Sequence, residues 1–332
     1  MAGVQPAGNT TQQPWLNPYP SCIGVNPQVS SQAPALPTGS YQPEPSYHPQ
    51  LFGLTRPQGG PSANAASFAE QVQGRDAQAI DLELMQVANA VYDPATQSVG
   101  KWTRVDDAQL TAAGIDPATL ETPDTGFRAG IFTDGDGNYV LAYSGSNENI
   151  DWTGANFPQG LGMQTEQYDQ AVALAQQVAA SEFGRDGNVV ITGHSLGGGL
   201  SGIASLATGI PAVTFDASGV HNDTMEQFGL DPGQARQDAE NGLIRRYNVD
   251  GDPLTAAQED TPGLSSIMPD APGHEITLDS PLPPIEGPEW TWNPIEMAKR
   301  TADYVQAKIE RVGDLHRQQT MIDALEQQRP WE

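Results

Sequence analysis

The segment Val189-Val190-Ile191-Thr192-Gly193-His194-Ser195-Leu196-Gly197-Gly198-Gly199-Leu200 constrains this chain more than any other stretch. Its β-branched run reads as a buried strand and the small residues after Ser195 open a helix, so Ser195 stands at a strand-to-helix turn. A turn that sharp strains the backbone of its central residue and leaves no room for side chains where strand and helix meet. Glycine two positions before and two after the serine satisfies that demand, and Gly193 and Gly197 occupy those places. In this setting G-x-S-x-G marks Ser195 as a nucleophile rather than as part of a structural glycine-rich turn.

The surrounding chain fits a layered domain. Ile80, Leu84, Val87, Ala88 and Val91 fall at helical spacing and predict an amphipathic helix ending near Asp93-Pro94. Phe127 to Phe132 and Tyr139 to Tyr143 predict an antiparallel hairpin joined through Asp134-Gly135-Asp136-Gly137-Asn138. That turn superficially matches a calcium loop, but its twelfth position is Gly145 rather than Glu, so it reads as a plain turn. Residues 165–183 read as a helix, 188–192 as a buried strand, and 212–215 and 243–249 as further parallel strands. Such alternation indicates a three-layer α/β domain. Residues 294–328, rich in Ala, Gln and Glu, are expected to be helical.

Composition excludes whole classes of function. The first 65 residues hold 12 of the 28 prolines with one acid and one base, and cannot bury enough surface to offset chain entropy. Residues 1–75 are therefore expected to be a disordered or loosely docked Pro/Gln-rich extension ahead of a domain spanning 76–332. A net charge of −26, with three scattered lysines, repels phosphate backbones and anionic headgroups, so no nucleic-acid partner is expected. No run of 18 apolar residues occurs, and the N-terminus lacks the basic and apolar regions of a cleaved secretory signal. Synthesis in the cytoplasm, with delivery by a specialised secretion system, is the expectation. Cys22 stands alone, which excludes an intrachain disulfide and a cysteine zinc site.

The run Gly193-His194-Ser195-Leu196-Gly197-Gly198-Gly199 resembles the elbow of the class 3 lipases, an α/β-hydrolase family. Leu141 to Ser146, Asp151-Trp152 with Asn156, and Ala212 to Ala217 extend the resemblance over roughly residues 76–280. It implies an α/β-hydrolase fold, class 3 lipase-like, with the Pro/Gln-rich N-terminal extension and a C-terminal helix added. It also implies an oxyanion hole from Ser146 and the Leu196 backbone N–H. The family usually has Arg before the glycine of the Ser146 loop, where this chain has Ser144.

A serine needs a base, and the base needs an acid; in α/β-hydrolases they follow in the order Ser, Asp or Glu, His. Asn248-Val249-Asp250-Gly251-Asp252-Pro253 resembles the family's acid-bearing strand end, with Asp252 in the acid's place and Asp250 as the alternative. Asp216 also ends a strand, but one strand too early. Among five histidines, His48 lies in the extension, His221 precedes the acid, and His194 sits in the elbow with its side chain expected to point away from the active face. His316 and His274 remain. The family's late loop favours His316, 64 residues beyond Asp252, and His274 is the alternative base at the start of an apparent strand.

Lipases of this class commonly carry a lid, and Trp152, Phe157, Leu161 and Met163 lie in a stretch that would cover or line an acyl pocket, unless they are ordinary loop packing. The resemblance implies acyl-ester hydrolysis with long-chain glycerolipid or phospholipid as first substrate class, and no metal or organic cofactor. The chain also resembles lipase effectors that bacteria deliver into competitors, which implies phospholipase A1 activity and a cognate immunity protein. Two other readings stay open: an esterase or thioesterase on small soluble acyl compounds, and a catalytically silent hydrolase-fold binding module.

Overall fold

The computed structural model describes residues 66–145, 164–260 and 269–332. Nine strands form one sheet: β1 (Ser98–Val99), β2 (Trp102–Arg104), β3 (Glu121–Thr122), β4 (Phe127–Thr133), β5 (Tyr139–Tyr143), β6 (Val189–His194), β7 (Ala212–Phe215), β8 (Ile244–Val249) and β9 (His274–Leu278). Their order is β1-β2-β4-β5-β6-β7-β8-β9, with β3 on the side of β4. The β4–β5 hairpin is antiparallel, and its turn is closed by Asp134, which accepts from the Asp136 and Asn138 backbone N–H groups. From β5 to β9 every pairing is parallel and in chain order.

That order fixes the layers. Parallel crossovers that share one hand and advance in one direction place their helices on a single face of the sheet. The helices α4 (Gln164–Ala180), α5 (Leu196–Thr208) and α7 (Pro232–Asp238), with α3 (Asp107–Ala112) and α6 (Asn222–Gln227), pack there with Leu141, Tyr143, Ile191 and Ile244. The other face must be covered by chain outside the crossovers. It is covered by α1 (Phe68–Val72), α2 (Ile80–Ala90) and α9 (Gln318–Gln328), against Val140, Ala142, Val190, Val213 and Tyr247. Neighbouring residues of β5 and β6 thus divide between two cores, as the period-two alternation of a sheet buried on both faces requires.

Three features depart from the sequence reading. Ordered packing begins within the expected extension: Ser67 and Glu70 form a capping box for α1, and Phe68 and Val72 are buried in the second core. The strand expected at 243–249 buries two charged residues, Arg245 and Arg246. Arg245 makes a two-pronged pair with Asp81 of α2, at 2.6 and 2.9 Å, and donates to the carbonyls of Val72 and Gly74. Tyr247 donates to the same carboxylate. Finally, the expected helix at 294–328 is two helices, α8 (Pro294–Leu315) and α9, broken at His316-Arg317. Arg317 is extended, and Thr320 donates its hydroxyl to the Asp314 carbonyl at the break. No described helix is long and apolar enough to cross a membrane.

Removing one partner of a buried ion pair strands a charge, at about 3–5 kcal/mol. Asp81→Leu is therefore expected to lower unfolding stability by about that amount in urea titration, and the double variant Asp81→Leu with Arg245→Met to recover most of the loss.

Candidate active site

Ser195 sits at the C-terminal end of β6, with φ 59° and ψ −128° at the entrance to α5. Such a conformation costs a non-glycine residue about 1–3 kcal/mol and persists only where surrounding contacts over-determine it. They do so here. The Ser195 N–H donates to the Phe215 carbonyl, and its own carbonyl accepts from Gly198, Gly199 and Ser218. A Cβ on Gly193 would run into the Gly197 carbonyl, and one on Gly197 into the Tyr143 carbonyl, so the two flanking glycines allow helix, turn and strand to close together.

Asp252 and His316, the expected acid and base, come from distant elements. Asp252 follows β8 and is buried, its carboxylate held by the Thr255 backbone N–H at 2.8 Å, whereas Asp250 is exposed. His316 caps the C-terminus of α8, and the fold of α9 back onto the sheet turns its ring to the end of β6. Its Nε2 lies 2.8 Å from Ser195 Oγ and its Nδ1 2.5 Å from Asp252 Oδ2. All three residues are buried, at 7%, 7% and 1% exposure for Ser195, His316 and Asp252. His274 begins β9 at the N-terminal ends of the parallel strands, opposite the end where Ser195 lies, and contacts Glu240 and Arg75.

Leu196 is the first residue of α5, where backbone N–H groups have no partner within the helix. Gly145 abuts the elbow so closely that a Cβ there would meet the His194 carbonyl at 3.0 Å and Ser195 Cβ at 3.4 Å. Ser144, in the position of the family's Arg, is buried and donates to the Gly145 carbonyl. Ser146, and with it Trp152, Phe157, Leu161 and Met163, lies outside the described residues.

A second polar layer, absent from the sequence reading, underlies the first. The His194 ring does not point away: its centroid is 4.9 Å from that of His316, because the strained elbow turns the end of β6 beneath the site. Tyr92 donates its hydroxyl to the His194 carbonyl. His194 Nε2 lies 3.9 Å from Asp216 Oδ2, and Asp216 Oδ1 accepts from the Val249 N–H. Burial, and next the charge of His316, push the His194 pKa well below its ordinary value. Burial, and next the neighbouring Asp252, push the Asp216 carboxyl well above its own. Burial and the neighbouring Asp252 thus both oppose a second negative charge on Asp216. His194, Asp216 and His316 present ligand atoms within 4.8 Å of one another, yet both His316 nitrogens already face Ser195 and Asp252, so a cation would have to break that chain.

Residues 83–279 match the model of a phospholipase-like family, the Tle-like phospholipase domain. The chain is also 40% identical over 270 residues to a Serratia liquefaciens protein named extracellular phospholipase A1, covering 81% of this chain and 77% of that relative. The chain belongs to this bacterial phospholipase family.

The raised Asp216 carboxyl gives a pH signature. Below its unfolded value of 3.8 both states hold the proton. As pH rises past that value the unfolded chain ionises while the native state does not, so the wild type loses stability up to the folded pKa. Asp216→Asn removes this term. The Tm difference, variant minus wild type, should grow as pH rises above about 4, and a flat difference would contradict the raised carboxyl.

Proposed function

We propose that this chain is a serine phospholipase of A1 type, with Ser195 as nucleophile, His316 as general base and Asp252 as the acid that orients it, in an α/β-hydrolase fold of the class 3 lipase kind. The single observation that carries the reading is the buried hydrogen-bond chain from Asp252 through His316 to Ser195. Membership of the family and the description of the relative as a phospholipase A1 supply the substrate class.

The geometry performs the reaction as follows. Asp252 accepts from His316 Nδ1–H, which leaves Nε2 free of a proton and facing Ser195 Oγ. As Oγ attacks the ester carbonyl of a glycerophospholipid, its proton passes to Nε2. The imidazolium so formed lies against Asp252 and the C-terminal end of α8, whose macrodipole favours positive charge by about 0.3–1 kcal/mol. The developing oxyanion is met by the Leu196 N–H at the positive end of α5 and by a donor from Ser146. His316 then protonates the departing lysophospholipid alcohol, and the acyl chain remains on Ser195. Water entering the same position gives its proton to Nε2 and releases the fatty acid.

Action outside the producing cell is taken from the relative's description as extracellular. Delivery into competitors, a cognate immunity protein and a lid over the acyl pocket follow from the sequence resemblance, and the Pro/Gln-rich extension ahead of the catalytic domain follows from composition.

Fatty-acid release from phosphatidylcholine should fall by roughly 10⁴ to 10⁶ for Ser195→Ala and His316→Ala and by roughly 10⁴ for Asp252→Asn. His274→Ala and Asp250→Asn should stay within about twofold of wild type, since neither residue reaches Ser195. Loss of activity in His274→Ala with retention in His316→Ala would overturn the assignment of the base.

A further inference from the structure

Helix α8 carries an apolar stripe that is exposed among the described residues from Ile295 to Ile309 and partly buried at Val312. Ile295, Ala298, Ala302, Val305, Ile309 and Val312 recur at three- and four-residue spacing and share one side of the helix. Ile295 is 81% exposed, and Val305 and Ile309 are also exposed. The opposite side is tied to the segment that precedes the helix: Arg300 donates to the Glu289 carbonyl, and Arg311 to the carbonyls of Leu282 and Pro283. Where that segment turns into the helix stand Trp290 and Trp292, 70% and 90% exposed and packed edge to face. With Met297, Ala298, Ala302 and Val305 they wall a shallow groove.

Two indole rings and a stripe of this length left in water mark an interaction surface. Charge narrows the choice of what it meets. Within α8, Glu296, Asp303, Glu310 and Asp314 are balanced by Lys299, Arg300, Lys308 and Arg311, so the helix is neutral in a chain of net charge −26 and holds two of its three lysines. A helix with a polar, charged face, low overall hydrophobicity and Trp at its apolar edge suits the plane of a lipid interface, where indole rings settle at headgroup level. A paired helix fits less well, because Ala298 and Ala302 leave the middle of the stripe without the large knobs that a coiled-coil seam uses. Position adds the last constraint: α8 runs from the tryptophans to His316, so a surface that receives the stripe lies along the helix whose C-terminus bears His316, with the tryptophans about 30 Å from it at 1.5 Å per residue.

We infer that the arm formed by Trp290, Trp292 and α8 docks this protein on a zwitterionic phospholipid surface. The inference rests on the phospholipase reading, and it names the surface through which that reading reaches its substrate. The strongly acidic remainder of the chain is kept off anionic membranes, while the neutral helix and the tryptophans supply apolar contact that does not depend on charge.

Docking is read by flotation of the full chain with phosphatidylcholine vesicles, using Ser195→Ala so that the lipid is not consumed, with and without Val305→Asp or the pair Trp290→Ser and Trp292→Ser. Activity is read on the same vesicles and on dihexanoylphosphatidylcholine below its micelle concentration, in the otherwise wild-type chain. The exposed substitutions should abolish flotation and lower vesicle hydrolysis at least tenfold, while hydrolysis of the monomeric lipid stays within twofold. Flotation unchanged by Val305→Asp would overturn the inference, as would a solution dimer, seen by light scattering, that Val305→Asp dissociates without changing flotation. A wild type that cleaves neither lipid but still floats through these residues would refute the phospholipase reading and leave the docking surface in place.

Discussion

A run of parallel strands that pair in chain order leaves a sheet with one face bare, and the architecture of this protein follows from how that face is closed. The crossovers α4, α5 and α7 all fall on one side, so the second core must be filled from the two ends of the described chain. α1 and α2 enter before the sheet, anchored by the Asp81–Arg245 pair, and α9 returns after it. The return of α9 positions His316, because the chain must turn sharply at 316–317 to leave α8 and reach the sheet. Closing the core and completing the polar chain are thus one structural event.

The strain at the elbow depends on the same closure. Ser195 keeps an unfavourable backbone only because Phe215, Ser218 and the first turn of α5 hold its peptide groups, and because glycine at 193 and 197 lets those elements approach. Four polar side chains, those of His194, Asp216, Asp252 and His316, are then buried together. Burying so many ionisable groups is tolerable where their charges do not add, and burial opposes the charged forms of both Asp216 and His194.

The parts of the site that local sequence determines were legible. Ser195, its glycines and Asp252 each sit on a strand end whose flanking residues announce a turn, and the pleated alternation at 139–143 and 189–194 announced the sheet. His316 was separated from His274 only by resemblance, since its place depends on where α9 packs. The break between α8 and α9 follows Gly313 by three residues, but its place is set by burial of Met321, Ile322 and Leu325 in the second core. Arg245 was invisible for the opposite reason: a charged residue in a central strand is stable only with Asp81, 164 residues away, and no local pattern encodes that partner. α1 is too short for periodicity to register, and the inward turn of His194 follows from a positive φ at the next residue.

The central claim is that His316, held by Asp252, activates Ser195. It is tested most directly by the rate at which a fluorophosphonate, which the serine oxygen attacks with loss of fluoride, labels the intact protein, with the labelled residue mapped by mass spectrometry. Labelling at Ser195 that slows roughly a hundredfold or more in His316→Ala and is unchanged in His274→Ala is the result predicted. Labelling at another residue, or at Ser195 with a rate indifferent to His316, would contradict it.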